Sequence, residues 1–99
     1  MSRTYERTDR FKRDYSKLSP QEQERFKQKV MESFVPAVES GDFPMGLRVK
    51  GVQGAEGIYE MTWAPNGRAT FQYGAAEQIP GQAHVIWRRI GGHEVFGSP

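Results

Sequence analysis

The apolar residues of this chain change period once, near Gly46, and the switch divides it into a helical half and a sheet half. Before it, Phe11, Tyr15 and Leu18 recur at i, i+4 and i+7, which is one helical face, and Phe26, Val30 and Phe34 at i, i+4 and i+8 mark the stripe of a second helix. After it, apolar and polar residues alternate, so side chains fall on opposite faces of extended strands. Two amphipathic helices followed by strands bury their apolar sides most simply by packing against each other. The expected fold class is therefore α+β: an N-terminal strand and a helical hairpin on a mostly antiparallel sheet of about four strands. Ninety-nine residues suffice for one such domain, spanning 1–99.

Local signals place the elements. Residues 4–7 read as a strand with Tyr5 turned inward. Asp9 lies where a carboxylate favours a helix N-terminus. Ser19-Pro20-Gln21-Glu22 spells a capping box with proline at the first helical position, so the second helix starts there. Pro36 lacks an amide donor and restricts Val35, which disfavours simple continuation; a short turn from Pro36 would end at Ser40-Gly41-Asp42. In Leu47-Arg48-Val49-Lys50 the apolar pair shares one face and the basic pair the other. Gly51 and Gly54 bracket a turn. Tyr59, Met61 and Trp63 face the core, with Ile58, Glu60 and Thr62 opposite. Ala64-Pro65-Asn66-Gly67 is a hairpin signal, because Asn-Gly tolerates positive φ. The return strand turns Ala69, Phe71 and Tyr73 inward and Arg68, Thr70 and Gln72 outward. A loop over residues 74–82 leads to a last strand at 84–90 that does not alternate cleanly, so its faces stay unassigned. The outer sheet face then carries Arg48, Lys50, Glu60, Thr62, Arg68, Thr70 and Gln72. That pattern suits a solvated face and a binding platform equally.

Composition removes several classes. There is no cysteine, hence no disulfide framework and no Cys-based zinc site, which suits a reducing cytoplasm. No run of about eighteen apolar residues spans a membrane, and MSRTYERTDR has no apolar core of a secretory signal. The net charge of +2 permits nucleic-acid binding without demanding it. Basic residues of the helical half interleave with Glu6, Asp9, Asp14, Glu22 and Glu24, as on a solvated helix face laced with ion pairs. There is no phosphate-binding glycine loop, no serine elbow and no paired-histidine motif. His84 begins an apolar strand and reads as structural. His93, after Gly91-Gly92, stands close to arginines, where an imidazole can act as acid or base.

Four stretches, FKRDYSKLSPQEQERF, LRVKGVQGAEGIYEMTW, GRATFQYG and VIWRRIGGHEVF, cover nearly the whole chain. In order and spacing they resemble the RelE/ParE superfamily of bacterial toxins. The shared features are a leading strand and helical hairpin, a Lys-Gly turn, a Gly-x-Tyr-Glu strand, a strand opening with arginine, and a terminal Gly-x-His-x-x-Phe.

The resemblance implies a function. RelE-like members are ribosome-dependent endoribonucleases that cut mRNA, each neutralised by a cognate antitoxin; ParE-like members poison DNA gyrase on the same fold. By this likeness Arg68 matches the phosphate-binding arginine and His93 the C-terminal catalytic position. Arg48 and Lys50 lie near the RNA-gripping positions, and Phe96 matches the terminal aromatic that stacks on a base. Arg88 and Arg89, on the terminal strand, would face either the RNA or solvent. Where some members carry lysines, this chain has Glu60 and Thr62, so the general base is either Glu60 or His93. The implied reaction is attack by the 2′-hydroxyl on the adjacent phosphorus, needing no metal or cofactor. The implied partners are the antitoxin, the ribosome and mRNA. A non-catalytic binding member of the same fold is the remaining alternative.

Overall fold

The computed structural model describes residues 4–34, 47–74 and 84–99. Strand β1 (Thr4–Arg7) leads into helix α1 (Asp9–Ser16) and helix α2 (Pro20–Lys29). Strands β2 (Lys50–Gly51), β3 (Tyr59–Ala64), β4 (Gly67–Tyr73) and β5 (His84–Gly91) follow, and a 3₁₀ helix spans His93–Gly97. The sheet order is β1-β5-β4-β3-β2. The leading strand thus joins the sheet as a fifth member, parallel to β5, while the other pairings are antiparallel. No helix among the described residues is long and apolar enough to cross a membrane.

Both helices begin where their side chains can cap them. Thr8 Oγ1 accepts the Phe11 amide at 3.1 Å, and the same hydroxyl donates to the Arg88 carbonyl at 2.9 Å, tying the start of α1 to β5. The capping box of α2 is complete: Ser19 Oγ accepts from the Glu22 amide, and Glu22 Oε1 accepts from the Ser19 amide at 2.8 Å. Reciprocal bonds between Tyr15 and Gln23 join the two helices. Past Lys29 the helix widens into a π-helical segment, Val30–Phe34, which still presents Phe34 to the core. The predicted break at Pro36 and the turn to Asp42 lie outside the described residues.

The core is aromatic. Trp87 of β5 meets the rings of Phe11, Phe26, Phe34 and Phe71 at centroid distances of 6.0, 5.3, 5.0 and 5.5 Å. Trp63 meets Phe26 edge-on at 6.1 Å. Each such pair contributes roughly 0.5–1.5 kcal/mol beyond its buried area.

Five expectations need correction. Tyr5 is 68% exposed instead of turned inward, since β1 is an edge strand and no described element covers that ring. Tyr73, also expected inward, is 38% exposed, at the end of β4 in register with Val85 and, through it, with Tyr5. The Leu47–Lys50 strand shrinks to Lys50–Gly51, because Arg48 takes φ 52°, which no extended strand contains. Leu47 is nevertheless buried, and Arg48 and Lys50 are exposed as the alternation implied. The Asn66-Gly67 signal marks the hairpin for a different reason. Neither residue has positive φ, and the turn residues between the paired Ala64 and Gly67 are Pro65 and Asn66. Gly67 is required by close approach instead: a Cβ there would lie 2.6 Å from the Trp63 ring. Finally, the outer sheet face is not fully open. The 3₁₀ helix packs on β4 and β5 and buries Val95 apart from the main core, and Thr70 is fully buried.

The uneven pattern of the last strand has a simple cause. Thr70 pairs with Arg89 and Phe71 with Trp87, so Arg88 is an extra residue, a β-bulge. Val85 and Trp87 alternate into the core before it, and Ile90 after it is out of phase.

Gly67→Ala is expected to destabilise the protein by about 1–3 kcal/mol through overpacking against Trp63. In a Trp63→Leu background the added cost should shrink, measurable as the coupling term of a double-mutant cycle in urea denaturation. An additive pair would mean that the glycine serves backbone conformation.

Candidate active site

Cross-strand register brings the outward residues into two rows. One row runs Lys50, Glu60, Thr70, Arg89 across β2, β3, β4 and β5; the next runs Thr62, Arg68, Gly91. Three strand spacings separate Lys50 from Arg89, about 14 Å. Arg68 and Glu60 are diagonal neighbours on adjacent strands, about 7–8 Å apart along the backbone. Because Arg68 lies opposite Gly91, the Gly91-Gly92-His93 segment leaves the sheet beside it. His93 is exposed and opens the 3₁₀ helix, where residues three apart eclipse. Its ring accordingly meets Phe96 edge-on at 5.7 Å.

The arginines are less free than their sequence positions suggest. Arg68 Nη1 donates to the carbonyls of Gly67 at 2.9 Å, Pro65 at 3.3 Å and Ala64 at 3.4 Å, so its guanidinium braces the hairpin turn. All three bonds use Nη1; among the described residues none engages Nη2 or Nε. Arg89 is drawn to α1. Its Nε and Nη2 bind the two oxygens of Asp14 at 2.5 and 3.2 Å, and the same carboxylate accepts the Ile90 amide at 3.3 Å. This fork geometry raises the Arg89 pKa further above its ordinary value, the Asp14 hydrogen bond being the main cause. Arg88, at the bulge, hydrogen-bonds Gln72 Oε1 on the outer face. Asp14, which reads in sequence as one more surface carboxylate, is instead the counter-ion of Arg89 seventy-five residues away. No periodic signal carries that pairing.

Glu94 orders the segment holding His93. Its Oε2 accepts the Gly92 amide at 2.9 Å, and this backbone bond, the largest cause, lowers its pKa. Gly92 itself approaches the hairpin turn so closely that a Cβ would lie 3.2 Å from the Asn66 carbonyl and 2.8 Å from Glu94 Oε1. Arg48, exposed and in the left-handed region at φ 52°, holds a conformation that costs a non-glycine residue about 1–2 kcal/mol. Glu60 is half-buried directly across from the exposed Lys50.

A cleft of about 670 Å³ opens at the same end of the sheet, between the α1–α2 turn, the β3–β4 hairpin and the exit from β5. Arg89 and Trp63 line it, whereas Arg48, Lys50, Glu60, Arg68, His93 and Phe96 do not. Of the site residues expected from sequence, Arg89 alone lines this cleft, and the others lie outside it. Among the described residues no three His, Asp or Glu side chains cluster as metal ligands would.

Similar architectures occur among solved structures. The chain aligns over 96% of its length with 97% of the toxin in the E. coli DinJ-YafQ toxin-antitoxin complex, at a TM-score of 0.65 and 13% identity. A copper-bound mutant toxin from Helicobacter pylori matches at a TM-score of 0.65 and 13% identity, covering 93% of this chain and 96% of that one. The RelB-RelE antitoxin-toxin complex from Methanococcus jannaschii matches at 0.57 and 12% identity, over 92% and 93% of the two chains. The fold is that of the RelE-like toxins. No family model matches the chain, and no curated protein matches it in sequence. The RelE-like likeness is thus one of backbone architecture, spanning nearly the whole length.

Two expectations test this geometry. Arg48→Gly should raise stability by about 0.5–1 kcal/mol in chemical denaturation, whereas Arg48→Ala should not, because only glycine relieves the left-handed strain. Glu94 has a depressed folded-state pKa, so its contribution is present above the ordinary carboxylate value of 4.5 and is lost as pH falls through the lower folded value. Thermal stability should therefore fall less on acidification in Glu94→Ala than in the wild type. Because the group is exposed, the difference should stay below about 1 kcal/mol.

Proposed function

We propose that this protein is a ribosome-dependent mRNA endonuclease of the RelE-like kind, held inactive by a cognate antitoxin. The observation supporting this reading is the register of β4 and β5, which sets Arg68 opposite Gly91, two residues before His93, with Glu60 diagonal to Arg68 on β3. The solved toxins of this architecture lend support, and two of them are described in complex with an antitoxin.

The chemistry follows from the groups available. The 2′-oxygen attacks the adjacent phosphorus, the bond to the 5′-oxygen breaks, and the products are a 2′,3′-cyclic phosphate and a 5′-hydroxyl. Arg68 would use its free Nη2 and Nε on the phosphoryl oxygens, where charge grows in the transition state; such a donor is typically worth about 3–4 kcal/mol. Either His93 or Glu60 would take the 2′ proton. The other, or a group of the ribosome, would protonate the leaving oxygen. Phe96 has no hydroxyl to donate, so it would stack on a base. Arg48 and Lys50 would hold the backbone to the 5′ or 3′ side. Arg48 gains weight as a contact residue because its backbone is strained while its side chain is exposed.

Expression in a bacterial host should arrest translation with mRNA cut at the ribosomal A site. His93→Gln should lower cleavage by about 10²–10⁴-fold with little change in Tm, since His93 is exposed. Arg68→Ala should lower it about 10²–10³-fold and also loosen the hairpin, so it is read alongside its denaturation curve. A message with a single 2′-deoxynucleotide at the cut position should survive. Its cleavage, or chromosomal breaks with relaxed supercoiling in place of cut mRNA, would rule out the nuclease reading.

A further inference from the structure

Strand β5 is longer than the strand beside it. Its pairing with β1 runs from His84 to Trp87 and stops there. Beyond Trp87, α1 takes the place of the missing strand and meets the open edge group by group. The Thr8 amide donates to the Trp87 carbonyl at 3.0 Å, Thr8 Oγ1 donates to the Arg88 carbonyl at 2.9 Å, and Asp14 Oδ2 accepts the Ile90 amide at 3.3 Å. Asp14 does more than close this edge. Its two oxygens hold Arg89 through Nε and Nη2, and Arg89 Nη1 then donates to the Ser98 carbonyl, just past the 3₁₀ helix, at 3.1 Å. Arg10, also on α1, donates to the same oxygen at 3.0 Å. At the start of the 3₁₀ helix, the Glu94 carboxylate accepts the Gly92 amide and attracts Arg89 at longer range. All three nitrogens of Arg89 are thus engaged, and the Arg89 and Asp14 side chains are only 18% and 13% exposed. Little of this guanidinium is left for a ligand.

We infer that Asp14 is a positioning residue: through Arg89 it seats the 3₁₀ helix, and with it the His93–Phe96 pair, against the end of β5. This deepens the nuclease reading and rests on it for what the seated imidazole does. The segment has few anchors of its own. Val95 is its one buried side chain, and a five-residue 3₁₀ helix is held by hydrogen bonds of poorer geometry than those of an α-helix. One buried side chain fixes how deep the segment sits. Its rotation is fixed at the two ends, by Glu94 on the Gly92 amide and by Arg89 on the Ser98 carbonyl. Asp14 therefore acts on His93 without touching RNA or the reacting atoms. Arg89, in this role, serves the segment and faces neither RNA nor solvent.

The test compares wild type, Asp14→Asn, Arg89→Lys and the double variant in cleavage of ribosome-bound mRNA, with kcat and KM measured separately. Asp14→Asn keeps an oxygen for the Ile90 amide and removes the charge that holds Arg89. It is expected to lower kcat about 10–100-fold, the effect of a misplacement of about 1 Å, with KM within about twofold of wild type. Arg89→Lys keeps the positive charge and loses the fork, so it should match Asp14→Asn, whereas an arginine that only attracted phosphate would tolerate the change. The double variant should cost no more than either single one, because the two residues act as a unit. Amide exchange supplies a readout in which cleavage plays no part. In both single variants the Val95 and Ser98 amides, bonded to the Gly92 and Val95 carbonyls, should exchange about tenfold faster, while the β3–β4 ladder keeps its rates. Should Asp14→Asn fold poorly, Arg89→Lys carries the same expectations. Wild-type kcat in a folded variant, a lower KM as a released Arg89 turns to RNA, additive losses, or exchange that quickens equally across the sheet overturns the clamp. Wild-type protein that cuts no mRNA, with the 3₁₀ amides still loosened by Asp14→Asn, supports the seating and sinks the nuclease reading. Cleavage by the wild type with no response to Asp14→Asn sinks the clamp alone.

Discussion

Trp87 is the contact on which the rest of the structure depends. Its ring meets Phe11 from α1, Phe26 from α2, Phe34 from the π-helical segment and Phe71 from β4, so one side chain of an inner strand joins both helices to the sheet. The Trp87 carbonyl accepts the Thr8 amide, which fixes where the chain passes from β1 into α1. With Trp87 held, the bulge at Arg88 follows immediately, and the phase of Arg89, Ile90 and Gly91 against β4 is set. The candidate site is thus placed by the core: the opposition of Arg68 and Gly91 is the register left over once Trp87 has packed on Phe71.

Those parts of the fold that arise from local chemistry were legible in the sequence. The Ser19 capping box, the alternation along Tyr59, Met61 and Trp63, and the hairpin at residues 64–67 each report on neighbours a few positions away. The parts that were not legible depend on residues far apart. An inserted residue such as Arg88 breaks the period of two without any compositional mark. Tyr5 has the look of a core residue, and only the position of its strand at the sheet edge leaves it outside. Thr70 was expected on an open face and is buried, because the 3₁₀ helix returns over β4. The Gly67 signal pointed to a turn for the wrong reason, since the demand comes from the Trp63 ring and not from φ.

The site shows the same division. The Arg68–Gly91 register comes from the pairing of β4 with β5, which no hairpin signal in the sequence announced. The commitments of the individual guanidiniums did not follow. Arg68 is half occupied by the turn it braces, and Arg89 is neutralised by Asp14. A count of basic residues on a face therefore overstates the charge on offer. In this protein arginines hold turns and helices together, and only the remaining nitrogens are open to anything else.

The parallel pairing of β1 with β5 has a consequence in time. Thr4 lies beside His84, so β1 is synthesised well ahead of the strand it pairs with. At about 5–20 residues per second, an emerging chain waits on the order of 4–16 s between the two. Through that interval α1 lacks the surface it packs on, and Arg68 has no Gly91 across from it. The complete strand order is therefore reached in one late step rather than built up with length.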